Sequence, residues 1–166
     1  MEAAIISAAV SIFVLVATQW VLAVRSRTEF LTTKVEELWQ AIEDVSSSAI
    51  PDFASMPQRE TKLVLVETSR AIHLRLSKPR MLCSLYFKSV MPHFSEFSTA
   101  CGLLAAELGS VAGSQDLPST ERLTLLFHDL SDRTERLKVQ LLEDYDALVA
   151  EPWAVAKGWW HWLANG

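Results

Sequence analysis

The hydrophobic pattern changes character twice along the chain. From Ala3 to Val24 it reads AAIISAAVSIFVLVATQWVLAV, 22 residues without a charge. Apolar and small residues occupy the whole circumference, and as a helix the stretch spans roughly 33 Å, enough for the hydrocarbon core of a bilayer. A cleaved signal peptide would carry a basic start, a shorter apolar core and a small-residue cleavage site. Here the one early side-chain charge is Glu2. The pattern predicts a transmembrane anchor over residues 1–24. From Arg25 the residues are helix formers with no Gly or Pro to interrupt them. Leu31, Val35, Leu38, Ile42 and Val45 form a seam of alternating four- and three-residue steps, widened by Phe30 and Trp39. The anchor is therefore expected to continue without a break into the first helix of the adjoining domain.

The serine run 46–48 and two prolines predict a loop over 46–58. A second helix is expected over about 58–78, with Leu63, Val66, Ile72 and Leu76 along it, and Pro79 is expected to break it. Residues 80–91 predict a short apolar helix. Pro92 suits the first turn of another, which carries Phe94, Phe97, Cys101, Leu104 and Leu108 to about 111. After a loop at 112–119, the Ser119-Thr120-Glu121 start caps a last long helix. Its stripe of Leu123, Phe127, Leu130, Leu137, Leu141, Tyr145 and Leu148 reaches about 150. No strand-like alternation occurs. The expected class is all-α: one N-terminal transmembrane helix continuing into a cytoplasmic bundle of four to five helices over 25–150, then a Trp-rich tail over 151–166.

Charge orients the anchor. Arg25, Arg27 and Lys34 come after it and nothing basic precedes it. The positive-inside rule then places the N-terminus outside and the bulk of the chain in the cytoplasm, with Trp20 near the headgroups. Half of all residues are apolar, and the anchor accounts for much of that excess. A net charge of −5 argues against a surface given over wholly to nucleic acid. Cys83 and Cys101 lie in apolar helical stretches without metal-ligand spacing, which predicts two reduced, buried thiols.

Three groups of residues are candidates for function. Ala4, Ser11, Thr18 and Arg25 recur every seven residues, with Ser7 and Ala8 beside them. Such a face can pack two helices closely, line a narrow pathway in a ring of helices, or simply hydrogen-bond back to its own backbone. Arg70, His73, Arg75, Lys78 and Arg80 form a basic cluster in an otherwise acidic chain. It can bind a nucleotide, RNA or acidic lipid headgroups, or complement a helix C-terminus. Trp153, Trp159, Trp160 and Trp162 crowd the tail, which can cap the bundle, lie in the membrane interface or dock a protein partner.

Motifs for chemistry are missing. There is no H-E-x-x-H, no Gly-rich phosphate loop and no G-x-S-x-G. The expectation is a non-enzymatic protein without metal or cofactor, with membrane lipid and further copies of itself as partners.

Two resemblances bear on function. EFLTTKVEELW, residues 29–39, resembles the F-L-x-x-K-[LV]-E-E-L-[YW] pattern found after the anchor in a group of uncharacterised bacterial single-pass membrane proteins. SLYFKSVMPHF, residues 84–94, is similar to an L-Y-F-P-x-L stretch of the same group, with Lys88 where proline is usual. This implies an architecture and an inner-membrane location, and no activity. The order of parts also resembles CRISPR accessory proteins in which one membrane helix precedes a HEPN-like domain and the whole assembles into membrane pores. The HEPN signature separates Arg from His by four residues. Arg122 and His128 stand one residue too far apart, so what the resemblance implies is a pore or effector in antiphage defence or stress, not RNase activity.

Overall fold

The computed structural model describes residues 2–49, 58–110 and 119–165, with side chains described over 7–8, 10–49, 61–110, 119 and 121–153. Among the described residues five α-helices occur in order: α1 (Glu2–Ser48), α2 (Gln58–Arg75), α3 (Ser77–Tyr86), α4 (Met91–Ser110) and α5 (Thr120–Asn165). A 3-10 turn, Lys88–Val90, links α3 to α4. No strand occurs among the described residues, so the all-α expectation holds. The chain divides into two compact units. One contains residues 34–144, the other residues 1–33 and 145–166.

The 34–144 unit is a helical bundle around one core. From α1 the seam residues Val35, Leu38, Ile42 and Val45 are buried, and so is Leu31, just before the unit begins. From α4 come Phe94, Phe97, Cys101, Leu104 and Leu108, and from α5 Leu130, Leu137 and Leu141. Each large apolar side chain taken out of water there contributes about 1.5–3 kcal/mol. Helix α2 lies along α4, where the Ser69 hydroxyl donates to the Ala105 carbonyl at 2.7 Å. Gly109 permits the close approach, since a β-carbon there would meet Ser69 Oγ at 3.2 Å. Polar links tie α5 to its neighbours. Arg133 pairs with Glu96 of α4 at 2.7 Å, Arg122 with Glu107 at 3.1 Å, and Lys138 with Glu43 of α1. The Lys138 ammonium also sits 4.9 Å from the centre of the Trp39 ring.

The observed elements differ from expectation in four places. The chain between α2 and α3 is interrupted at Leu76, and Pro79 lies inside the first turn of α3. The bond it deletes is the one to the Arg75 carbonyl, the last residue of α2. Next, the buried face of α2 is Thr61, Leu65, Thr68 and Ile72, while Leu63 is 62% exposed. Of the expected residues Ile72 is buried and Val66 and Leu76 are half-buried, so the apolar pattern misplaces Leu63 and misses the two threonines at core positions. Phe30 also does not widen the seam, being exposed. Finally, α5 continues through Pro152 to Asn165.

The other unit pairs α1 with the C-terminal part of α5. Thr32 meets Tyr145 in a hydroxyl hydrogen bond of 2.8 Å, and Arg27 pairs with Glu151 at 2.8 Å. Trp20 and Trp153 stack edge to face with ring centroids 5.2 Å apart. Partners on α1 move toward the N-terminus as α5 advances, so the two helices run antiparallel. The last two contacts flank Pro152, where the helix lacks one backbone bond.

Candidate functional site

The N-terminal part of α1 is a sleeve of exposed apolar side chains. Val10, Ile12, Phe13, Val14, Leu15, Val16, Val21 and Leu22 are all exposed. At 100° per residue, Ile12 to Val16 alone sample the full circumference. A helix facing a core would bury one side and expose the other. Among the described residues α1 is the one helix long and apolar enough to cross a membrane.

The small-residue face is present on that sleeve, and two of its hydroxyls have partners. Ser11 donates to the Ser7 carbonyl at 2.9 Å, and Thr18 to the Val14 carbonyl at 2.7 Å. Neither of these hydroxyls therefore carries an unmet donor into an apolar environment. A shallow groove runs along it, lined by Val10, Ser11, Val14, Leu15, Thr18 and Gln19. Arg25 ends the face and pairs with Glu29 at 2.8 Å. Ser7 and Ala8 are exposed. The Ala4 side chain lies outside the described residues.

The basic cluster is divided. Arg75 and Lys78 share a hollow with Ala41, Asp44 and Leu74, and Arg75 donates to the Asp44 carbonyl at 3.0 Å. His73 and Arg80 line another, with Leu76, Ser77, Met81 and Ser84. Arg70 is exposed a turn earlier on α2. Helical spacing separates these side chains, so the five do not converge on one anion.

Of the tail tryptophans, Trp153 is engaged with Trp20. The side chains of Trp159, Trp160 and Trp162 lie outside the described residues, although the backbone is helical there.

Shifted ionisations have structural causes. Burial pushes the thiols of Cys83 and Cys101 up to about 12. Lys34 is raised by its hydrogen bond to Glu37, 2.8 Å away. Arg133 is raised by its hydrogen bonds to Asp129 and then Glu96. No cluster of three metal-ligating side chains occurs among the described residues. Apolarity periods could not have revealed that Thr61, Thr68 and Thr134 are buried. The hydrogen bond from Ser89 to Asp144 had no local sequence signal either.

No family model, curated protein or solved structure matches the chain.

Proposed function

We propose that this is a non-enzymatic, single-pass inner-membrane protein that self-associates through its anchor and the adjoining part of α1, acting as a membrane effector, pore or scaffold. The carrying observation is the run of exposed apolar side chains around the helix from Val10 to Leu22, which suits lipid better than water. Arg25, Arg27 and Lys34 beyond it favour a cytoplasmic location for the bundle. Self-association is supported by the groove at Ser11 and Thr18. Small side chains with internally satisfied hydroxyls let a second helix approach closely, and lipid tails gain nothing comparable there.

The test is the molecular mass of the purified full chain in detergent over a range of concentrations. Oligomers are expected, and the double change Ser11→Leu with Thr18→Leu should shift them toward monomer by filling the groove. A strict monomer at the highest concentration sinks the self-association reading.

A further inference from the structure

The face that α3 turns away from the core has an unusual composition. Pro79, Leu82 and Cys83 are buried and Tyr86 is half-buried, so the opposite side of the helix holds Ser77, Met81, Ser84 and Leu85. Met81 and Leu85 are 52% and 59% exposed. Leu74, 75% exposed, stands at the end of α2 beside Lys78. Lys78 and Arg80 flank the apolar strip on its two edges, Lys88 comes after it, and all three are exposed. None of the three makes an ion pair among the described residues. No Asp or Glu occurs between Glu67 and Glu96, in a chain whose net charge is −5.

Exposed aliphatic tips set among unpaired cations fit an anionic bilayer. The tips reach the acyl boundary while the cations meet headgroup phosphates. A soluble anion would leave Leu74, Met81 and Leu85 unexplained, and a purely apolar partner would leave the acid-free stretch unexplained. We propose that Leu74, Lys78, Arg80, Met81, Leu85 and Lys88 form a docking surface for an anionic lipid bilayer. This rests on the anchor reading. The unit that carries α3 begins at Lys34, ten residues after Val24 (34 − 24), so a bilayer holding the anchor is present at high effective concentration. Each cation strengthens partition to such a surface by about fivefold, so Lys78, Arg80 and Lys88 together are worth about a hundredfold.

The test uses the full chain in vesicles of phosphatidylcholine alone or mixed with phosphatidylglycerol. An environment-sensitive fluorophore is placed through Met81→Cys, or independently Leu85→Cys, with Leu125→Cys as an exposed control elsewhere on the bundle. Cys83 and Cys101 are buried and stay unlabelled. With anionic lipid, labels at 81 and 85 should shift to the blue and be quenched from the acyl chains, while the label at 125 should not. Replacing Lys78, Arg80 and Lys88 by Gln, or adding high salt, should reverse the change. Equal signals in both lipids, or equal changes at 81 and 125, overturn the proposal. So does a change abolished by inorganic phosphate or ATP at an ionic strength where sodium chloride leaves it intact, which would assign the cations to a soluble anion. Flotation with the same vesicles separates the two readings. Floating on both lipids without a shift at 81 keeps the anchor and removes the α3 surface. Floating on anionic vesicles alone, with the shift, does the reverse. Floating on neither removes both.

Discussion

Cys83 and Cys101 report on the integrity of the 34–144 bundle. Both are fully buried, Cys83 in α3 and Cys101 in α4, and burial raises each from 9.0 to about 12. At neutral pH that shift lowers the reactive thiolate by about a thousandfold. Reagent access adds a second factor, because an opening that costs about 5 kcal/mol exposes the site roughly one part in several thousand of the time. Maleimide labelling near neutral pH, read by intact mass, should therefore give two adducts within minutes in concentrated guanidinium and almost none in the native protein over the same period. Two adducts forming natively at the denatured rate would refute the packing described for α3 and α4. The same shift fixes a pH trend. The folded thiols stay neutral while the unfolded ones ionise above about 9, so the unfolded chain binds fewer protons and stability falls as pH rises from about 9 toward 12. A melting temperature that rises over that window contradicts it.

Three further outcomes are expected. Leu65→Ala should cost about 2–5 kcal/mol by leaving a cavity, whereas Leu63→Ala should stay within about 0.5 kcal/mol; chemical denaturation of the two variants checks which face of α2 is inside. Tyr145→Phe should cost about 0.5–1.5 kcal/mol through the lost hydrogen bond to Thr32, read from the melting temperature, and Tyr145→Phe added to Thr32→Val should cost little more. Lys138→Met should be nearly neutral, since Glu43 is about half exposed and returns to water, while Lys138→Ala should cost about 0.5–1 kcal/mol more because the cation over Trp39 and the stem beneath it are both lost; denaturation of both variants checks the difference.

Much of the fold is legible where apolarity alone decides burial. The α1 seam from Leu31 to Val45 and the α4 face from Phe94 to Leu108 are buried as their spacing predicts. Legibility ends where a polar residue packs or a breaker is tolerated. Thr61 and Thr68 are small enough to enter the core, which hides the inner face of α2 and makes Leu63 look like part of it. Pro79 and Pro152 look like helix ends in a linear sequence. The first sits in the first turn of α3, where the one bond it deletes falls at the interruption between α2 and α3, and the second sits between the Arg27–Glu151 and Trp20–Trp153 contacts, which join residues more than a hundred positions apart. The small-residue face of the anchor is visible as a seven-residue period, but its self-bonded hydroxyls are not. The basic cluster is visible as a run of cations, yet a linear sequence does not show that helical spacing divides it between two hollows, or that Met81 and Leu85 lie exposed between Lys78 and Arg80.

The proposed membrane span over residues 3–24 underlies both the proposed function and the α3 docking surface. Alkaline carbonate extraction of cell membranes containing the full chain tests it most directly, alongside the double change Val14→Arg with Leu15→Arg at the middle of the span. Each arginine there costs about 2.5–3.5 kcal/mol of insertion free energy. The native chain should stay with the carbonate-washed membrane, and the doubly substituted chain should be released. Release of the native chain into the supernatant would contradict the span.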